Sequence, residues 1–215
     1  MVKAVAGGGG RGIRVAQSED ELIRGLRMAR SEARMAFGND DIYLEKGLTR
    51  PRHVEVQIIA DNYGNVVHLG TRNCSIQRRH QKMIEIAPAT LPGTLQEQVC
   101  ETAVQAAKAC NYLNAGTVEF LLDEEDNYCF LEVNTRIQVE HTVTEMITGI
   151  DIVREQIRIA AGEPLSVSQK DITFRGYAIE LRINAEDPKS NFMASPGVIQ
   201  VYQSAGGHGT RVDGA

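Results

Sequence analysis

Glu132-Val133-Asn134-Thr135-Arg136-Ile137-Gln138-Val139-Glu140-His141 alternates with a period of two, and one parity of the run is chemically capable throughout. In an extended strand successive side chains point to opposite faces, so Glu132, Asn134, Arg136, Gln138 and Glu140 share one surface while Val133, Ile137 and Val139 anchor the other. Two carboxylates, two amides and a guanidinium then face one space. The plain alternative is a strand with one solvated face.

A second strand-like stretch, Thr117-Val118-Glu119-Phe120-Leu121-Leu122, precedes it, and the polar cluster Asp123 to Asn127 reads as a hairpin turn. A turn centred near Glu125 and Asp126 makes Glu119 and Glu132 cross-strand partners, with Cβ atoms roughly 5 Å apart. Two carboxylates there repel unless a cation joins them. Magnesium takes oxygen ligands from one or two carboxylates plus substrate phosphates, so Glu119, Glu132 and Asn134 make a candidate nucleotide–metal site. The competing reading is a like-charge pair splayed into water.

The chain has 215 residues, enough for a sizeable core in one domain or two incomplete ones. A net charge of −5 and 5% aromatic residues, with no Trp, argue against a nucleic-acid surface of basic patches and stacking rings. No stretch reads as a signal peptide or a membrane span; the longest apolar stretches are strand-sized. Cys74, Cys100, Cys110 and Cys129 lack metal-ligand spacing and read as ordinary thiols of a cytosolic protein.

The fold class expected is α+β with mostly antiparallel sheets. Ser18 with Glu21 forms a capping box for a helix carrying Leu22, Ile23, Leu26, Ala29, Ala33 and Phe37 and closed by Gly38. Thr94 with Glu97 repeats the signature ahead of an Ala-rich helix through Cys110, and a third helix runs from Asp151 to Ala161. Strands are expected at 42–46, 53–60, 65–71, 117–122, 128–140 and 175–184. Val198 to Tyr202 and Thr210 to Val212 read as paired strands cut short, and Val2 to Val5 as a strand with no leading segment, so the chain is expected to be a fragment incomplete at both ends.

Ala6-Gly7-Gly8-Gly9-Gly10-Arg11-Gly12 is the second strong feature. It satisfies G-x-G-x-x-G by count, yet Ile13-Arg14-Val15 reads as a strand where the dinucleotide fingerprint needs a helix, and no Lys-Ser or Lys-Thr follows as a Walker loop needs. Strand, glycine loop and strand instead make a hairpin flap. Its backbone N–H groups can approach a polyphosphate, with Lys3 and Arg11 supplying positive charge; a loose surface loop is the alternative. The run Gln77-Arg78-Arg79-His80-Gln81-Lys82 is either a solvated face or an anion site, and Glu45-Lys46-Gly47-Leu48 ends a strand at the junction between the flap unit and the rest.

These stretches, with Pro51 to Glu55, Cys74 to Lys82, Ala115 to Phe120 and Arg182-Ile183-Asn184-Ala185-Glu186-Asp187-Pro188, resemble the central part of biotin carboxylase, the ATP-grasp module of acetyl-CoA, propionyl-CoA and pyruvate carboxylases. The resemblance implies an ATP-grasp lid subdomain at 1–48, and at 49–215 an ATP-grasp core running into the start of the family's C-terminal domain. It implies that Lys3, Gly7, Gly8, Gly9, Gly10, Arg11, Gly12, Glu45, Lys46, Leu48, His53, Gln77 and His80 bind ATP. Glu119, Glu132 and Asn134 would hold two Mg²⁺ or Mn²⁺ ions, the two glutamates thereby serving the nucleotide as well. Glu140 would be the base that deprotonates bicarbonate, held by Arg136, Gln138 and the backbone of Val139. Lys82 would lie between bicarbonate and the γ-phosphate, and Arg182 would stabilise carboxyphosphate and the enolate-like biotin.

The expected activity is therefore ATP-dependent carboxylation of carrier-bound biotin by a cytoplasmic ligase. The implied partners are a biotin carboxyl carrier, a carboxyltransferase and a second copy in the complete protein, with neither nucleic acid nor membrane. Another ATP-grasp ligase, or an inert nucleotide-binding fragment lacking its flanking domains, are the alternatives. Thr71 and Asn73 stand where the family often has an acidic pair, Ile86 where it often has Glu, and Thr142 where it often has Pro, a feature loosely associated with pyruvate-type members.

Overall fold

The computed structural model describes residues 1–6, 12–48, 50–79 and 81–214. Contacts divide it into one unit from Met1 to Leu181 and another beginning at Arg182.

In the first unit, β1 (Val2–Ala4) lies between β2 (Ile13–Arg14) and β3 (Ile42–Leu44), antiparallel to both. Helix α1 (Glu19–Phe37) covers this sheet with a narrow buried face of Gly25, Ala29 and Ala33, small residues that let the backbone sit close to Val2. Ser18 caps α1 by accepting from Glu21 N, and Glu21 reaches back to Gln17 N, one residue outside the expected capping box. Gly38 closes the helix in the left-handed conformation, while Ile23 and Phe37 are exposed. Gly12, at the described end of the glycine loop, has φ +74, and a Cβ there would stand 2.7 Å from Ala4 Cβ. The hairpin closes at that point only with glycine.

The second sheet has the order β8-β7-β4-β5-β6-β9, antiparallel throughout: β4 (Arg52–Ala60), β5 (Val66–Arg78), β6 (Gln81–Ala87), β7 (Asn114–Leu122), β8 (Tyr128–Asn134) and β9 (Ala178–Leu181). One face is apolar along its length. Val54, Val56 and Ile58 of β4 with Val118, Phe120 and Leu122 of β7 pack against Leu95, Val99, Cys100, Ala103 and Ala107 of α2 (Gly93–Ala109). Each such large side chain withdrawn from water contributes about 1.5–3 kcal/mol.

The opposite face changes character along the strands. At one end Ile59, Leu69 and Ala115 bury against Ile152 and Ile159 of α4 (Ile152–Ala160). Two to four residues along the same strands, Gln57, Glu55, Arg72, Thr117 and Glu119 replace them, every one buried. The sheet thus has a hydrophobic floor and a polar shelf.

Several expected boundaries move. The strand foreseen at 128–140 stops at Asn134, because the chain turns at Val139 and Glu140 into α3 (His141–Thr148). Val139, expected to anchor the apolar parity, is 59% exposed. Helix α2 starts at Gly93 with no side-chain cap, so Thr94 lies inside its first turn and the Thr94–Glu97 capping box does not form. The basic run is the tip of a β5–β6 hairpin in which Arg79 takes φ 52, and β6 was not anticipated. Asp151 caps α4 as its side chain accepts from Arg154 N. The strand expected at 175–184 is β9 alone.

The second unit holds a short antiparallel pair, β10 (Glu186–Asp187) with β11 (Met193–Ala194). The strands expected at 198–202 and 210–212 are irregular, with Val198 and Val201 more than four-fifths exposed. β-branched residues there find no strand to pair with inside that unit.

Candidate active site

The polar shelf is organised around one ammonium. Lys82 of β6 contacts Glu55 Oε1, Glu119 Oε1 at 2.8 Å and Glu140 Oε1 at 2.7 Å, bringing together carboxylates from β4, β7 and the turn before α3. Burial alone would lower the pKa of Lys82; the charges of Glu55, Glu140 and Glu119 more than offset this and raise it. The lysine is held protonated.

Glu119 has the densest set of neighbours. Besides Lys82 it accepts from Asn134 Nδ2 at 2.9 Å and Gln138 Nε2 at 3.1 Å on Oε1. His53 Nε2 stands 2.9 Å from Oε2, off the line of a regular hydrogen bond. Burial would raise the Glu119 carboxyl, but His53 and Lys82 bring it down to about 2. The imidazole is in turn fixed by Gln77, whose Nε2 donates to His53 Nδ1 at 2.8 Å and to the Cys74 carbonyl at 2.8 Å. A bulge in β5 aims Gln77 this way: the ladder to β6 slips between Asn73 and Ile76, and Ser75 Oγ takes the His53 N–H at 3.0 Å.

The expected register of the β7–β8 hairpin holds, with Glu119 opposite Glu132. Asn134 joins the pair, donating to Glu132 Oε1 at 3.4 Å as well as to Glu119. The two carboxylates suit a hard divalent ion, and Asn134, which here points Nδ2 at both, would offer Oδ1 to such an ion with its amide turned over. Two other groups bring possible ligand atoms close together, His53–Glu55–Glu119 and Glu55–Cys74–Glu140. Both rely on Glu55, which Arg72 and Lys82 already engage. Across the shelf Glu55, Glu119, Glu140 and Glu132 face the two cations Arg72 and Lys82. The surplus is negative, which suits a divalent cation.

Gln138 and Glu140 do converge with Glu132 and Asn134, but through a turn and not through strand parity. Gln138 is 7% and Glu140 1% exposed. The turn is held by His141, whose backbone N–H donates to the Gln138 carbonyl at 3.2 Å while its ring Nδ1 lies 2.8 Å from the same oxygen. Arg136 does not join the cluster; it is exposed and donates to the neighbouring Ile137 carbonyl. Lys3 and Glu45 pair with each other on the three-stranded sheet, while Lys46 and Leu48 lie in the irregular segment that follows β3. Gly7, Gly8, Gly9, Gly10, Arg11 and His80 lie outside the described residues, and Arg182 opens the second unit.

The back of the shelf carries a further carboxylate that no motif marks. Glu55 is fully buried and accepts from Arg72 on Oε2, at 2.8 and 3.1 Å, while Lys82 occupies Oε1. Burial would raise the Glu55 carboxyl and Glu119 adds to that, but Arg72 and Lys82 outweigh both and lower it. The signal available was the polar parity His53, Glu55, Gln57 within an otherwise apolar strand. Cys74, buried beside this group, has its thiol pushed far up by burial and the Glu55 charge, which leaves it protonated and unreactive.

A lysine-bridged carboxylate shelf on a six-stranded antiparallel sheet, with a separate small sheet formed by β1, β2 and β3, fits an ATP-grasp protein. Residues 1–168 match the ATP-binding domain of the carbamoyl-phosphate synthase L chain, and the chain belongs to that family. It is 56% identical to biotin carboxylase 1 of Bacillus subtilis, over 100% of this chain and 48% of that protein. Among solved structures it is similar to the biotin carboxylase domain dimer of Hydrogenobacter thermophilus 2-oxoglutarate carboxylase, which holds MgADP, ADP and bicarbonate: 57% identity, TM-score 0.90, covering 96% of this chain and 46% of that one. The biotin carboxylase of Campylobacter jejuni in complex with β,γ-ATP gives 50% identity and a TM-score of 0.91, again over 96% and 46%. The resemblance read from the sequence is thus borne out, and the chain spans about half the length of these relatives.

Proposed function

We propose that this chain forms the nucleotide- and bicarbonate-handling core of an ATP-dependent ligase that carboxylates biotin. The observation that carries the reading is Lys82, whose one ammonium touches both Glu119, on the candidate metal side, and Glu140, the candidate base. The Hydrogenobacter thermophilus relative that holds MgADP and bicarbonate supports it.

Residues 1–48 act in this reading as a lid, with Lys3, the glycine loop, Glu45, Lys46, Leu48, His53 and Gln77 holding ATP. Glu119, Glu132 and Asn134 hold Mg²⁺ or Mn²⁺, two ions in all, which neutralise charge on the phosphate oxygens when bound. Glu140 takes the proton of bicarbonate; Gln138, the Val139 backbone and Arg136 orient that anion. A bicarbonate oxygen attacks the γ-phosphorus, the bond to ADP breaks, and Lys82 neutralises charge between the two anions as carboxyphosphate forms. Carboxyphosphate then parts into CO₂ and phosphate, phosphate takes the ureido proton, and the biotin nitrogen attacks CO₂ with Arg182 stabilising the developing oxyanion. The whole protein works in the cytoplasm with a biotin carboxyl carrier, a carboxyltransferase and a second copy of itself.

The test is ADP release with and without bicarbonate and free biotin, for the full-length protein and for the 215-residue chain. The full-length protein is expected to need bicarbonate and to be accelerated by biotin. Bicarbonate-independent release, or none stimulated by biotin, would overturn the reading. Stimulation in the full-length protein alone would assign the remaining residues an essential share.

A further inference from the structure

Arg72 is the largest fully buried side chain of the described residues, and its guanidinium donates to five polar side chains. Its Nε and Nη2 donate to Glu55 Oε2; Nη2 also lies 3.1 Å from Thr117 Oγ1 and 3.4 Å from Gln138 Oε1; Nη1 reaches Gln57 Oε1 at 2.7 Å and Thr144 Oγ1 at 3.0 Å. Those partners come from β4, β7, the turn after β8 and helix α3. One rigid fork therefore fixes the relative position of every element that contributes to the Lys82 cluster except β6, which Lys82 itself brings in.

Stability does not explain such an arginine. Burying a guanidinium with its carboxylate costs so much desolvation that apolar residues of similar volume are often as good or better. What the fork provides is geometry. Three of the five partners stand one step behind a group of the proposed reaction: Glu55 hands its other oxygen to Lys82, Gln138 passes its amide N–H to Glu119, and Thr144 sits on α3 one turn after Glu140.

We propose that Arg72 is a positioning residue for phosphoryl transfer, setting Lys82 and Glu140 against each other through Glu55, Gln138 and α3 without touching substrate. This rests on the proposed function of the same site. Lysine would keep the charge yet offer donors from a single point, so it could not span Glu55, Gln57, Thr117 and Thr144 together.

The test compares full-length wild type with R72K, R72M, T144V, T144S and the double variant T117V/T144V. The valine changes are close in shape, and among the described residues Arg72 is the hydrogen-bond partner of both hydroxyls, so they loosen the fork even if the Arg72 variants do not fold. Biotin-stimulated ADP release is expected to fall at least about 30-fold in kcat for R72K and R72M and about 3- to 10-fold for T144V. ATP KM and ADP affinity should stay within about 3-fold of wild type, and T144S, which restores the hydroxyl, should recover turnover. Turnover per folded molecule unchanged in T144V and the double variant, or kcat and nucleotide affinity falling together with thermal stability, would overturn the proposal. A second readout stands apart from turnover: acetylation of Lys82 by an amine reagent, followed by mass spectrometry, should quicken at least about 3-fold in T144V and the double variant as Glu55 loosens. Unchanged labelling counts against the positioning role even if wild type releases no ADP, the result that would instead sink the functional reading.

Discussion

Lys82→Met is expected to lower bicarbonate-dependent ATP cleavage by about 10²–10³-fold, the cost of removing one preorganised group from developing anionic charge. Its second effect is on the fold. Glu55, Glu119 and Glu140 would lose the ammonium that joins them, and leaving buried charge uncompensated costs about 3–5 kcal/mol. The sign with pH follows from Glu119. In the wild type its carboxyl is held near 2 against an ordinary 4.5, so its contribution is fully present above 4.5 and is lost as pH falls toward 2. Without Lys82 that depression shrinks, so the gap in stability between wild type and variant should be full at pH 7 and narrow below about pH 4. Thermal melts across that range, with ADP release on the folded fraction, check both effects. A variant as stable as wild type at pH 7 would show that the three carboxylates do not depend on Lys82.

Glu140→Gln should remove turnover of a different kind. The side chain keeps its volume and its contact with Lys82 becomes that of a neutral amide, but it cannot serve as the base proposed for bicarbonate. A positioned base contributes about 10²–10⁴ in rate, and a loss in that range is expected in bicarbonate-dependent ADP release. Nucleotide affinity should remain within a few-fold, because Glu119, Glu132 and Asn134 are untouched. Equal losses in turnover and in ADP affinity, read by calorimetry, would place Glu140 among the groups that hold the nucleotide.

Much of this architecture is legible before any coordinates are seen, and what is not legible has specific causes. The Glu119–Glu132 register follows from the Asp123–Asn127 turn, whose side chain and backbone bonds close it at a fixed length. The β1–β2 hairpin follows from glycines flanked by β-formers. The alternation through Glu140 misleads because polar residues at every second position suit a turn that folds back over the shelf as well as they suit a strand. Helix α3 was hidden by its own composition: Thr142, Val143, Thr144, Ile147 and Thr148 are β-branched, and only the Val143–Ile147 spacing with Gly149 beyond betrays a helix. Arg72 could not be found by motif at all. It sits between Thr71 and Asn73 in a strand, and its proposed role arises from five partners that sequence separates by 15 to 72 residues.

The family explains why the shelf exists, but the chemistry rests on which oxygen attacks the γ-phosphorus. Bicarbonate labelled with ¹⁸O, given to the full-length protein with ATP, metal and biotin, settles it through mass analysis of the phosphate released. Attack by bicarbonate and passage through carboxyphosphate leave one ¹⁸O in each phosphate. Unlabelled phosphate at full turnover, meaning that water attacks instead, would contradict the account.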